Sequence, residues 1–145
     1  AYGFKLPDAG RMVAGSSVSA VWAGPGQWLV FAPETDGRDL EGELRARLGG
    51  HASVADQSDA RVFVRVAGPQ SRVALAKLLP VDIHPRAFPP GSSVITHAAH
   101  IGVMVWHCDK LDKPDCFVLA CSRSYAKSFW HALMQAAAEF GVDVG

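Results

Sequence analysis

The sequence predicts an α+β domain, a mainly antiparallel sheet with helices packed on it. Three observations carry that reading. Short runs rich in aromatic and β-branched residues alternate with helical periods. Gly and Pro clusters separate those runs. The order strand–strand–helix, then strand–helix, then strand–strand–helix gives two similar units around a connector, an arrangement expected of α+β architecture.

The segment to about Gly15 has no sustained period and is expected to be an irregular lead-in. Ser17–Trp22 reads as a strand, Ala23-Gly24-Pro25-Gly26 as a turn, and Gln27–Ala32 as the second strand of a hairpin. A charged helix is predicted over Arg38–Leu48. Leu40, Leu44 and Leu48 form one narrow apolar stripe, and Glu41/Arg45 and Glu43/Arg47 are acid-before-base pairs on the wet side. Gly49-Gly50 ends it.

Arg61–Ala67 follows as a strand. Val62, Val64 and Val66 line one face and Phe63 the other, which predicts a central strand with both faces partly covered. Gly68-Pro69 opens a helix with Pro at its first position, and the body Gln70–Leu79 is stopped by Pro80. Pro80–Ser93 holds four prolines with Val81, Ile83 and Phe88, so an ordered crossing loop is expected there. His97–Cys108 contains a long strand, Asp109–Asp115 is a polar turn, and Cys116–Ser122 is the partner strand. The last helix runs from about Ser124, as N-cap, to Phe140, with Gly141 just beyond. Its apolar stripe is Ala126, Phe129, Trp130, Leu133, Ala137 and Phe140.

At 145 residues the chain fits one domain, 1–145, large enough to hold a core without staples. Hydrophobic residues make up 49% and charged residues 19%. That apolar balance fits either a large core or surface buried against a partner. Fourteen basic residues offset fourteen acidic ones with no basic stripe, which argues against nucleic acid as a partner. No apolar run reaches the roughly 18–20 residues of a membrane span. The N-terminus lacks the basic-then-apolar order of a signal peptide, although the chain begins at Ala1 rather than Met. Cys108, Cys116 and Cys121 include no C-x-x-C pair, so they read as small buried hydrophobes in a cytoplasmic protein.

No residue set stands out as catalytic, cofactor-binding or metal-ligating. On one long strand His100 and Cys108 share a face while His97 and His107 take the other, so four ligands do not converge. Cys121 lacks the basic surroundings that activate a thiol. Asp56 and Asp59 sit in a short loop where turn capping accounts for them. In Gly24-Pro25-Gly26 and Gly68-Pro69 the proline removes an N–H that a phosphate loop needs. Of Trp22, Trp28, Trp106 and Trp130, most are expected in the core, with one or two open to an interface role.

Several segments, in order, carry a resemblance. Gly24-Pro25-Gly26-Gln27-Trp28-Leu29 resembles the GP-x-x-W-L hairpin of sarcosine oxidase gamma subunits. Asp56-Gln57-Ser58 with Ala60-Arg61 resembles their D-Q-S-x-A-R entry to a strand. Gly68-Pro69, Ala76-Lys77 and Pro80-Val81-Asp82-Ile83-His84-Pro85, continued by Phe88-Pro89-Pro90-Gly91, resemble their GP…AK…P-x-D-L-H-P run. Arg123-Ser124-Tyr125-Ala126, with Ser128 and Trp130, resembles the entrance to their last helix.

The resemblance covers about residue 22 to the end. It implies a fold like the folate-binding domain of the aminomethyltransferase (T-protein) superfamily. It also implies an accessory, non-catalytic place in a heterotetramer with alpha, beta and delta subunits. Those subunits are expected to hold FAD, FMN, NAD and tetrahydrofolate, with no cofactor in this chain. The complex would demethylate sarcosine oxidatively to glycine, with hydrogen peroxide and formaldehyde or methylene-tetrahydrofolate. The alternative is a stand-alone folate or C1-carrier binding domain.

Overall fold

The computed structural model of the chain describes residues 5–33, 37–108 and 115–144. Strands β1 (Met12–Ala14), β2 (Ser19–Gly24) and β3 (Gln27–Phe31) pair antiparallel in sequence order as a three-stranded sheet. The turn from β2 to β3 runs through Gly24 at φ +143° and Gly26 at φ +67°, a conformation glycine adopts without a Cβ penalty. After helix α1 (Leu40–Leu48) come strand β4 (Arg61–Ala67) and helix α2 (Ser71–Leu78). Strands β5 (Ser93–Ala98), β6 (Ile101–His107) and β7 (Cys116–Ser122) follow, then helix α3 (Ala126–Ala137). The second sheet has the order β4-β7-β6-β5, with every neighbour antiparallel.

Register assigns the faces. β6 and β7 point Val103, Val105, Phe117, Leu119 and Cys121 to one side, where Leu75, Leu79, Phe129 and Leu133 from the α2–α3 layer meet them. The alternate residues Met104, Trp106 and Ala120 face the small sheet and pack with Met12, Val21, Leu29 and Phe31. The result is three layers: small sheet, four-stranded sheet and helices. Each fully buried Leu, Val or Phe in these cores is worth about 1.5–3 kcal/mol of transfer free energy. The α+β class with antiparallel sheets and helices is therefore as the sequence predicts, and both strand–strand–helix units occur in chain order.

Several details differ. The antiparallel strands divide into two sheets rather than one, because the small sheet covers the face of β6–β7 that the helices leave open. The lead-in is not irregular to Gly15: residues 12–14 form β1, and Trp28 Nε1 donates to the Pro7 carbonyl at 2.8 Å. β4 is an edge strand rather than a central one, with Val64 and Val66 packed on the helix-side core and Phe63 on the other face. His97–Cys108 is not one strand. β5 begins within the expected crossing loop, and the chain turns at Ala99 (φ +48°) and His100 (φ +68°) before β6.

The helix ends also shift slightly. Pro69 lies just outside α2, whose first turn is tied back by Ser71 Oγ donating to the Gly68 carbonyl at 2.8 Å. Tyr125, preceded by a 3₁₀ turn, rather than Ser124 occupies the cap of α3. α1 is capped by Asp39, whose Oδ1 accepts the Gly42 N–H at 3.0 Å, and it ends at Gly49 with φ +56°. Its Glu41–Arg45 pair closes at 2.7 Å, and Glu43 accepts two hydrogen bonds from Arg38 at 3.1 and 2.9 Å. No residue of α1 is fully buried, so its leucine stripe is only half covered. The expected polar turn at 109–114 lies outside the described residues.

The crossing segment joins the layers. The Gly91 carbonyl accepts the Met12 N–H at 2.8 Å, and the Gly91 N–H donates to the His107 carbonyl at 3.0 Å, linking β1 to β6. Gly91 has φ +85°, and a Cβ there would lie 2.8 Å from Arg11 Nη2. Gly91→Ala is expected to lower stability by about 1–2 kcal/mol, the cost of a left-handed backbone for an L side chain. Urea unfolding with an unchanged m-value would show it, and a variant as stable as the parent would refute the assignment.

Candidate functional site

The histidines and cysteines separate in space. His97 is exposed on β5, His100 is exposed in the turn, and His107 is buried at the end of β6. The β5–β6 register sends His97 and His107 to opposite faces rather than to the one face expected of a single strand, because the turn at Ala99 and His100 resets the alternation. Among the described residues no three His, Cys, Asp or Glu side chains converge in a metal-holding group. Cys121 lies in the helix-side core, where burial pushes its thiol pKa up and away from nucleophilic use. Asp56 caps a turn: its Oδ1 accepts the Ser58 hydroxyl at 2.6 Å and the Ser58 N–H at 2.9 Å, and these hold its carboxyl below the usual range.

Two polar features stand outside the sequence reading. In the first, Arg72 of α2 reaches across the mouth of the β6–β7 hairpin. Its Nε donates to Asp115 Oδ1 at 2.7 Å, Nη1 donates to the Ile83 carbonyl, and the guanidinium lies 5.1 Å over the Phe117 ring. Beside it the His107 ring stacks on Phe117 at 4.6 Å, and its Nδ1–H donates to the Phe88 carbonyl at 3.0 Å. Every polar contact in this node ends on the chain itself. It therefore orders the crossing loop and hairpin. A charged helix residue aimed at a Pro-rich loop is too common a pattern to have flagged it.

In the second, Cys108 and Cys116 stand across the hairpin mouth with their Sγ atoms 3.2 Å apart. Burial, followed by the neighbouring Cys116 thiol, pushes the Cys108 pKa up to about 12, with Arg65 pulling weakly the other way.

The exterior carries the larger signal. Only Trp106 of the four tryptophans is fully buried; Trp22 is half-buried and Trp28 leans on Pro7. Trp130 is 40% exposed on the outer side of α3. The core absorbs Phe129 and Leu133 of that helix, and the stripe is too wide for one face to bury. Trp130 borders a cleft of about 500 Å³ between the edge strand β4, the start of α2, α3 and residues 140–144. Phe63, 45% exposed, lies on the opposite face of the same edge strand beside Phe31 and Trp106, and Ile95 is 47% exposed on β5. An open strand edge beside exposed aromatic groups is a surface suited to docking protein rather than to chemistry.

Two consequences are measurable. Arg72→Ala should cost about 2–3 kcal/mol, since it removes a charge-assisted hydrogen bond and leaves the Ile83 carbonyl unpaired. Arg72→Lys should recover only part, because one ammonium cannot span both partners; chemical denaturation of both variants decides. The second concerns pH. With the folded-state pKa of Cys108 near 12 against an ordinary 9.0, the folded chain binds more protons than the unfolded one between those values. Stability under reducing conditions should therefore fall as pH rises from about 9 towards 12. Thermal midpoints across the accessible part of that range should show a shallower decline in Cys108→Ser.

Comparison with known proteins identifies the family. The model of the sarcosine oxidase, gamma subunit family matches residues 1–139. The sarcosine oxidase subunit gamma of an Arthrobacter species is 39% identical over 109 residues, 73% of this chain and 53% of that protein. Its counterpart from Corynebacterium sp. strain P-1 is 34% identical over 146 residues, 99% of this chain and 69% of that protein. The chain thus spans about half to two-thirds of the length of these relatives. Among solved structures, a chain of the heterotetrameric sarcosine oxidase from Corynebacterium sp. U-96, in complex with pyrrole 2-carboxylate, superposes with a TM-score of 0.83. It is 30% identical, and the match covers 99% of this chain and 73% of that one. The chain belongs to the sarcosine oxidase gamma subunit family.

Proposed function

We propose that this chain is a non-catalytic accessory subunit of a heterotetrameric sarcosine oxidase, seated against alpha, beta and delta subunits in the cytoplasm. The observation that carries the reading is the likeness over 99% of the chain to a chain of such a heterotetramer. The partner subunits carry FAD, FMN, NAD and tetrahydrofolate, and the assembly oxidatively demethylates sarcosine to glycine. This chain supplies shape and apolar surface. That division of labour is supported by the internal hydrogen bonds of Arg72 and His107 and by aromatic side chains left exposed.

Docking centred on Trp130 and the β4 edge follows from the same surface, since buried Trp residues anchor protein interfaces. Co-expression with the other three subunits is expected to yield one species in which this chain elutes with the flavin colour. Trp130→Ala should weaken assembly by about 30-fold, the cost of a typical hot spot. The isolated chain's thermal midpoint should move by no more than about 2–4 °C, because Trp130 is 40% exposed and lies outside the buried core. A chain that elutes alone, indifferent to those subunits, would overturn the proposal. Heat on titration of that lone chain with tetrahydrofolate would favour the carrier-binding alternative.

A further inference from the structure

Cys108 and Cys116 face each other where β6 and β7 leave the sheet. The Cys108 N–H donates to the Cys116 carbonyl at 2.9 Å, and the next rung inward is the His107–Phe117 pair. Groups other than the thiols pin both sides of this rung. Asp115, at φ +56°, is held by Arg72 Nε at 2.7 Å and by Ser71 Oγ, which donates to its carbonyl at 3.0 Å. On the other strand the His107 N–H donates to the Ser92 carbonyl at 2.9 Å. A thiol–thiol contact is weak in itself, so backbone and ion pair set the 3.2 Å sulfur separation. A disulfide needs about 2.05 Å between sulfurs, and opposed residues of an antiparallel pair fall within the Cα separation it takes.

We propose that Cys108 and Cys116 form a reversible dithiol–disulfide couple which, when oxidised, closes residues 108–116 into a covalent ring and locks the β6–β7 hairpin. The oxidant is a low-molecular-weight disulfide. Cys108, the half-buried member, releases its proton to solvent, and its thiolate attacks one sulfur of the reagent. The reagent's S–S bond breaks and one thiolate leaves to take up a proton. Cys116, buried behind it, then loses its proton and attacks the Cys108 sulfur of the mixed disulfide, expelling the second thiol. Two protein thiols are oxidised and one reagent disulfide is reduced to two thiols.

The raised Cys108 pKa keeps its thiolate scarce at neutral pH, with the Arg65 charge opposing that effect. The couple therefore answers a sustained change in thiol–disulfide balance rather than a brief oxidant pulse. Cys121, in the core on the helix side of the sheet, provides an internal control.

The test exposes the reduced full chain, alone and in its co-expressed assembly, to oxidised glutathione. Acid quenching, denaturation, alkylation and peptide mass analysis follow. The expected product has lost two hydrogens, carries a Cys108–Cys116 link and leaves Cys121 alkylatable. It should form about tenfold faster per pH unit below the thiol pKa, and its thermal midpoint should rise by about 5 °C or more. Cys116→Ser should instead accumulate glutathione on Cys108, although the parent chain decides the matter even if that variant fails to fold. A parent chain that stops at the mixed disulfide, links through Cys121, cross-links only between chains, or stays reduced in fully oxidised glutathione would overturn the proposal.

Discussion

Burial of both faces of the β6–β7 ladder is the constraint from which the rest of the structure follows. Val103, Val105, Phe117 and Leu119 need the helices, while Met104, Trp106 and Ala120 need the small sheet. A ladder apolar on both sides reads as a nearly continuous run, Val103-Met104-Val105-Trp106, instead of alternating. Its register cannot slip. A one-residue shift would send Trp106 into the helix layer and His107, whose Nδ1–H is satisfied only by the Phe88 carbonyl, into the small sheet.

The covering layers differ in reach. Three short strands lie over a four-stranded sheet, so they cover its centre and leave its margins. Phe63 on β4 and Ile95 on β5 are those margins, and both remain nearly half exposed. On the helix side the α2–α3 pair buries Phe129 and Leu133 but cannot turn Trp130 inward without rotating Phe129 out. The exposed apolar groups are thus a geometric result of stacking unequal layers, and they lie where an added partner would extend the core.

Much of this was legible in the sequence where local chemistry acts alone. The Gly24-Pro25-Gly26 turn, the Gly49 stop, β7 and the body of α3 fall where composition and period place them. What tertiary contact decides was hidden. β1 is three residues long and exists because β2 and the Gly91 carbonyl complete its hydrogen bonds. The turn between β5 and β6 uses Ala99 and His100, two residues that carry no turn signal yet adopt positive φ. The edge position of β4 was unreadable, since Val62, Val64 and Val66 alternate alike at an edge or a centre. The thiol pair was within reach, because strands ending at Cys108 and starting at Cys116 across one turn must place the two opposite each other.

The segments that carry the family resemblance turn out to be joints of the scaffold. Asp56-Gln57-Ser58 is a side-chain-capped turn that enters β4, and Asp82 caps a second by accepting the His84 N–H at 2.9 Å. The Phe88–Gly91 stretch supplies the carbonyl for His107 and two hydrogen bonds that connect the sheets. Each of these turns and contacts fixes an angle between layers. A chain whose characteristic residues are spent on holding layers at fixed angles is specified for shape. Shape of that kind matters most when the uncovered margins of the sheet must meet another surface in register.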